Sequence, residues 1–517
     1  MSVECPVPGE LPGDEVVDSK ADGGVAAGAG GKEGAQGTAV RKTSLSSRGA
    51  RALVPFSPYI NAVNKAKEEP YSEKTPDGYF LMAQAETILT FDLIHEKIKS
   101  CREVPQTIGL YGNFRGGQRL RQAIAKMMQR TFMGVEVEPL HICISSGVTA
   151  VLDLFFFATC SAGEGCFIPA PYFPAFDNDM SIRNEVIPIP IQPRDTRSYI
   201  PTTVEMEEAF TAAQAKGIRP RVLLLTNPGN PLGTLYPEAT LKELLLWAIN
   251  HELHVLSDEI YANSKFGSSV SEFVSIEKVA SHLVAEGRLP QWLAEERVHT
   301  AYGMSKDFGM NGFRVGCLHT KNKQLLAFWQ NIGMFAAVSN DTQHALSVML
   351  EDDKFVDSYV SENKRRLKVS YDLLTSAFEA AGMHYQPACA AMFCWLDLRS
   401  ILALPTFEAE RLLWREILDT CKIVITPGEA CHYGEPGFFR VCYAAMPPEQ
   451  LSVACDRLAA FWKKKVAERE RGNGEEKGEE GEGTGKGGEG EKGAEDAAGS
   501  EAPSSRKRKA EGDPEDA

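Results

Sequence analysis

Short apolar runs closed by turn residues alternate with stretches of helical period through the middle of this chain. Val222-Leu223-Leu224-Leu225 ends in Thr226-Asn227-Pro228-Gly229-Asn230-Pro231-Leu232-Gly233, and a run of that length bounded by Pro and Gly reads as a strand buried on both faces. A helical pattern from Leu241 to Ile249 follows it. His254-Val255-Leu256-Ser257-Asp258 gives the next strand and Val298 to Met304 another. Earlier, His141-Ile142-Cys143-Ile144 is strand-like and leads into the apolar helix Val151 to Ala158. Strands alternating with helices imply right-handed crossovers and a mostly parallel α/β sheet. Such sheets place ligands at their carboxyl edge.

Four motifs fall at that edge. Ser305-Lys306-Asp307-Phe308-Gly309-Met310-Asn311-Gly312-Phe313-Arg314-Val315-Gly316 puts a lysine just past a strand and an arginine eight positions on. The pair suits an amine that must bond an aldehyde and a fixed cation that must hold the aldehyde's phosphate; a solvated lysine near a turn is the plain alternative. The doubled Asn-Pro after Leu225 makes a rigid loop, more than a strand-to-helix turn needs. In His254–Tyr261 a carboxylate leaves a strand end and a phenol follows three residues later; a solvated strand end is the commoner fate of an Asp-Glu pair. Ser145-Ser146-Gly147-Val148-Thr149-Ala150 opens a helix whose free N–H groups can cradle a phosphate, or is an ordinary N-cap.

Together the motifs resemble the fold-type I, class I/II aminotransferase superfamily, and most nearly the 1-aminocyclopropane-1-carboxylate (ACC) synthase and ACC synthase-like proteins. Leu45-Ser46-Ser47-Arg48, Ala85-Glu86, Leu89-Thr90-Phe91-Asp92-Leu93-Ile94 and Pro169-Ala170-Pro171-Tyr172-Phe173-Pro174 carry that closer likeness. So do Phe393-Cys394-Trp395-Leu396-Asp397-Leu398-Arg399 and Glu435-Pro436-Gly437-Phe438-Phe439-Arg440-Val441-Cys442. The resemblance implies a pyridoxal 5'-phosphate (PLP)-dependent transferase fold: a mostly parallel sheet in a large domain sandwiched by helices, plus a smaller α+β domain from both chain ends. It implies a homodimer with shared active sites and a small amino acid as substrate.

Residue by residue, the resemblance makes Lys306 the amine that bonds the cofactor aldehyde and then shuttles the α-proton. Asp258 would pair with the pyridine nitrogen, and Tyr261 and Asn230 with the ring's phenolate oxygen. Phe173 would stack on the ring. Val148, Thr149 and Arg314 would hold the phosphate, with Tyr111 reaching in from the neighbouring subunit, and Ser305 would also bind the cofactor. Glu86 and Arg440 would bind substrate, Arg440 by a bidentate grip on the α-carboxylate.

Departures bear on the reaction. Many relatives carry a phosphate-binding serine at the position of Gly303, which should weaken cofactor binding without abolishing it. Plant ACC synthases have a tyrosine at the position of Phe114, and Gly-Leu-Ala-Glu-Asn where this chain has Ala83-Gln84-Ala85-Glu86-Thr87. Ala391 replaces a glycine. Cofactor machinery is kept while substrate-facing edges have drifted, which favours a transaminase or β/γ-lyase acting on an amino acid other than S-adenosylmethionine. A true ACC synthase is the alternative, kept open by Glu86 and Arg440. A catalytically idle scaffold is the third reading, opposed by retention of the lysine and aspartate.

The ends are of a different composition. Residues 1–44 lack any helical or strand period and read as disordered; 45–104 reads as an arm and part of the small domain, 105–345 as the PLP-binding domain and 346–467 as the rest of the small domain. Residues 468–517 read as a disordered acidic low-complexity tail. The body, about four hundred residues, is long enough for a sizeable core. A net charge of −15 disfavours nonspecific nucleic-acid binding. Twelve cysteines without a CxxC pair or zinc spacing fit reduced thiols in the cytoplasm, with no metal. No apolar stretch reaches membrane-spanning length. Arg506-Lys507-Arg508-Lys509 has the composition of a nuclear import signal, and a solvated charge run is the favoured reading.

Overall fold

The apolar runs become the middle of a seven-stranded sheet. The computed structural model describes residues 44–53, 59–268 and 271–479. Two compact units, Met1–Ala50 and Arg51–Ala517, divide the chain, and every strand among the described residues lies in the second. In chain order the strands are β1 (Phe80–Leu81), β2 (Ile142–Ser145), β3 (Gly165–Pro169), β4 (Ile187–Ile191), β5 (Pro220–Thr226), β6 (His254–Asp258), β7 (Val298–Gly303), β8 (Gly316–Thr320), β9 (His384–Gln386), β10 (Phe393–Asp397), β11 (Ile423–Val424), β12 (Thr426–Pro427) and β13 (Phe438–Cys442).

The large sheet has the order β2-β8-β7-β6-β5-β3-β4. All its pairings are parallel except the two made by β8, which runs against both neighbours. Alternation along β5 shows why the run is apolar throughout. Val222 and Leu224 pack with Val151, Leu152 and Phe155 of the helix Val148–Thr159. Leu223 and Leu225 pack on the other face with Leu241, Leu244 and Leu245 of the helix Glu238–Asn250. Both faces are dry, so alternation of polar and apolar residues would leave polar groups stranded. Both helices are longer than their apolar cores suggest, because first-turn and last-turn residues need no burial.

A second, antiparallel sheet, β12-β13-β10-β9, shares a core with the long helices Asp353–Ala381 and Pro448–Glu479, Phe393, Leu396 and Val441 packing with Leu374, Phe378, Leu451 and Leu458. Both ends of the described body meet beside it: β1 pairs in parallel with β11, Phe80 opposite Ile423 and Leu81 opposite Val424. The helix that begins at Pro448 overrides the expected tail boundary at residue 468 and continues to Glu479. Glu468 forms pairs with Lys464 and Lys465, and Arg469 donates to the carbonyls of Ser400 and Leu402. Charge pairs one turn apart and a tertiary anchor extend a helix that composition alone ends. The nuclear-import cluster and the segment through Thr43 fall outside the described residues.

Away from the carboxyl edge, the strands bury three histidines. His254 and His299 share a hydrogen bond at 3.0 Å, His299 meets Thr320 at 2.8 Å, and His319 meets the Glu277 carboxylate at 2.8 Å. Burial, with Arg297 and Arg221 adding repulsion, pushes His254 down to about 3 and also drives His299 well below its ordinary value. An imidazole with a depressed folded-state pKa leaves stability whole above its unfolded value near 6.5 and lost as pH falls from there towards the folded value. We therefore expect the free energy of unfolding to drop on acidification below about pH 6.5, by up to about 1.4 kcal/mol per pH unit per such histidine. Urea titrations at pH 7.5, 6 and 5 measure this, and His254→Asn should flatten the slope.

Candidate active site

The carboxyl edge of the large sheet encloses a cavity of about 340 Å³. Register explains the convergence: Thr226 ending β5 lies opposite Asp258 ending β6, and Asp258 lies opposite Ala301 of β7. Three residues beyond β7, Lys306 turns into the same space. Its Nζ donates to the Ala85 carbonyl at 2.6 Å, and Asn311 Nδ2 donates to that carbonyl at 3.3 Å. Burial pushes the Lys306 amine down to about 8; the Glu86 carboxylate pulls it back up and the Arg440 guanidinium pushes it down. A site that desolvates an amine this way keeps a useful fraction neutral near physiological pH.

Asp258 is buried, and its carboxylate accepts from the Ile260 N–H at 3.3 Å. Burial pushes its carboxyl up to about 7, with the Ile260 N–H and Lys306 acting the other way. Around the cavity floor a chain of polar side chains is built from two strand ends and the second sheet. Asn230 Nδ2 lies 3.5 Å from Tyr261 Oη, and Arg440 Nη1 donates to Asn230 Oδ1 at 2.9 Å. Arg440 sits on β13 opposite Trp395 of β10 and Thr426 of β12. Its Nη2 donates to Ala83 O at 2.5 Å and Thr426 Oγ1 at 3.2 Å, its face covers the Phe393 ring, and its Nε is buried without an acceptor. Burial raises the Tyr261 phenol well above its ordinary value, and Arg440 partly offsets this.

At the other end of the cavity, the first two amides of the helix Val148–Thr159, those of Val148 and Thr149, have no intrahelical acceptor, while the Ala150 N–H donates to Gly147 O at 3.1 Å. Gly147 precedes them at φ 90°, a conformation that favours glycine, and Gly316 approaches so closely that a Cβ there would lie 2.5 Å from Gly147 C and 2.6 Å from Val148 N. Arg314, itself left-handed at φ 53°, donates to Asn311 O at 2.9 Å and Ser146 O at 3.4 Å. Free amides, a helix N-terminus and a guanidinium at one spot fit a phosphate. A desolvated lysine and a buried carboxyl short of a cationic partner fit the aldehyde and ring nitrogen of PLP. The residues present therefore fit that cofactor.

Every residue that the sequence pointed to for cofactor contact lines this cavity except Tyr111. Glu86 lines it too, while Arg440 stands one hydrogen bond behind Asn230. Tyr111 is 99% exposed and borders a different hollow together with Phe114. Sequence reasoning missed Gln84, Asp179, Thr226 and Asn311, all of which line the cavity. Asp179 had a signal: counting in threes from Phe173 gives Phe176 and Asp179 on the same wall. Burial, reinforced by Asp258, pushes its carboxyl up to about 8. Gln84 donates from Nε2 to Glu86 Oε1 at 2.9 Å. Among the described residues, no group of three His, Cys, Asp or Glu side chains could hold a metal ion.

The family model for aminotransferase class I and II matches residues 83–458. An ACC synthase of Nicotiana tabacum is 34% identical over 417 residues, 78% of this chain and 83% of that protein. ACC synthase 8 of Arabidopsis thaliana is 34% identical over the same span, covering 88% of its length. In structure, an aspartate aminotransferase of Thermus thermophilus superposes with a TM-score of 0.66 at 21% identity, over 81% of this chain and all of the other, which is a likeness of fold. The chain belongs to the class I and II aminotransferase family of PLP-dependent enzymes. Within that family its sequence lies near the ACC synthases.

The glycine at 303 has a packing reason. A Cβ there would lie 2.9 Å from Val315 O and 3.0 Å from Val148 Cγ2, so the valine methyl occupies room that a serine side chain needs. Gly303→Ser should therefore lower stability by about 1–3 kcal/mol, the usual range for overpacking, instead of simply restoring a phosphate contact. Adding Val148→Ala should recover part of the loss, the Val315 carbonyl contact remaining. Thermal unfolding with and without PLP reads both.

Proposed function

We propose that this enzyme takes an α-amino acid other than S-adenosylmethionine and acts as a transaminase or a β/γ-lyase. The observation that carries this is one connected set of groups: Lys306 and Asp258 in the cavity, with Asn230 tying Tyr261 to Arg440 beside them. PLP, when bound, supplies the electron sink for the α-carbon. Arg440 binds the substrate carboxylate, an acceptor for its orphaned Nε–H. Lys306 Nζ, held by the Ala85 carbonyl, removes and returns the proton at Cα. Asp258 keeps the cofactor's ring nitrogen protonated, Tyr261 and Asn230 fix the phenolate end, and Phe173 covers one face. Arg314 with the Val148 and Thr149 amides grips the phosphate. The chain acts as a homodimer in which Tyr111, exposed in the single chain, reaches the neighbour's phosphate.

Synthesis of ACC from S-adenosylmethionine is the second reading, favoured by the 34% identity to ACC synthases and by Glu86 in the cavity. It ranks lower because Gln84 stands where the synthases' stretch has leucine and engages one oxygen of Glu86. That contact weakens the glutamate's availability to a cationic group. Incubation of the purified protein with S-adenosylmethionine separates the two: stoichiometric ACC and methylthioadenosine would reverse the ranking. Absorbance changes across a panel of common amino acids would identify the substrate for the first.

Asp258→Ala should keep PLP but lose turnover by roughly several powers of ten, the scale of removing preorganised charge stabilisation; a few-fold loss would make it structural. Arg440→Lys should raise KM far more than it weakens PLP binding, since lysine cannot present a planar fork. Covalent PLP incorporation, trapped by borohydride and mapped to Lys306 by mass spectrometry, should rise with pH through about 8, following the lowered amine pKa. A rise only near the ordinary lysine value would remove the desolvation argument.

A further inference from the structure

A second cavity, about 460 Å³, lies behind the wall that carries Phe173. The wall is shared: Phe173, Phe176 and Asp179 line the first cavity, and Pro174 and Asp177 line the second. Opposite them, the helix Phe407–Cys421 presents Arg411, Trp414 and Arg415, which at spacings of three and four occupy one face. Glu429 and His432 complete the rim, on the loop that feeds β13 and so Arg440. The cavity thus touches both elements that would flank a bound substrate.

Its chemistry is specific. Trp414, fixed by donation from Nε1 to Ile425 O at 2.8 Å, stands with Tyr59, Pro174 and Pro427 to form an apolar slot. Four of the five acidic and basic side chains are paired: Arg411 with Glu429 at 2.6 Å, and His432 with Asp177 at 2.6 Å. Arg415 is exposed and has no hydrogen-bond or ion-pair partner among the described residues. One uncompensated guanidinium beside a flat apolar slot matches a single carboxylate on an aromatic body. A phosphate dianion would want a second free cation, and a cationic ligand would meet Arg415 itself.

We infer that this cavity binds an aromatic monocarboxylate and thereby adjusts the reaction site. The link is short. Asp177 accepts from Tyr172 Oη at 2.8 Å as well as meeting His432, and the Tyr172 and His432 rings stack at 4.6 Å. Tyr172 precedes Phe173 in the chain, and His432 O accepts from Gln192 while Gln192 Oε1 accepts from Gly434 N. A carboxylate seated at Arg415 fixes this Tyr172–Asp177–His432 group, and with it the spacing between the Phe173 wall and the β13 loop. Binding stands independently of the reaction; its effect on turnover rests on the function proposed above.

Calorimetric titration of the full-length, PLP-loaded protein with 2-naphthoate tests the site, with 2-naphthol and acetate as controls lacking the charge or the ring. One saturable site per chain is expected, with both controls at least ten-fold weaker. Arg415→Gln and Trp414→Leu should each weaken 2-naphthoate at least ten-fold, whereas Arg440→Lys should not. Circular dichroism checks that the variants fold, and Arg415→Lys, which keeps the charge on a surface position, should retain part of the affinity. In turnover assays 2-naphthoate should change the rate without competing with the amino acid. Absence of saturable binding, or binding that Arg440→Lys abolishes and Arg415→Gln leaves intact, overturns the inference. The titration reads the second cavity even if no substrate is turned over, so its failure is separable from failure of the proposed reaction.

Discussion

Everything at the reaction site depends on how closely two backbone segments approach at Gly316. No side chain fits between this residue and the Gly147–Val148 peptide, so the start of the antiparallel strand β8 lies directly against the start of the helix Val148–Thr159. That approach brings Arg314, two residues before Gly316, to the helix N-terminus. Positive charge from the guanidinium and from the helix end then adds at one point. A larger residue would separate the two sources, and each alone is a weaker anion site.

The interior groups share a second constraint. Lys306, Asp258 and Asp179 are drawn towards neutrality for the same reason, removal from water, although their signs differ. Burial lowers the amine and raises the acids, so all three converge on the middle of the pH scale. Groups so placed exchange protons at little cost, which is what acid–base work at neutral pH requires. Arg440, buried with them, is held by Asn230, Thr426 and the Ala83 carbonyl.

Much of this was legible in the chain. Apolar runs closed by Asn-Pro or Asp-Glu located β5 and β6 because dry parallel strands tolerate no polar alternation, with Asn230 and Asp258 at their ends and Lys306 just past β7. Gln84 and Asn311 were not legible, because nothing local marks a residue whose neighbours come from far along the chain. The Ala85 carbonyl that receives both Lys306 and Asn311 is more than two hundred residues distant from either. The helix beyond residue 468 was hidden for the same reason. Its anchor, Arg469, bonds carbonyls at Ser400 and Leu402, and composition past that point suggests only solvent.

Arg440 belongs to the small antiparallel sheet and Lys306 to the edge of the large one. On the proposed reading a substrate is gripped at its carboxylate by the first and at its α-carbon by the second, so it works as a strut between two sheets. Amines that lack a carboxylate would leave the strut broken. The molecule would then sense the length and completeness of its substrate mechanically, as stiffness between the layers and slower hydrogen exchange at the segment around Ala83, before any bond is changed.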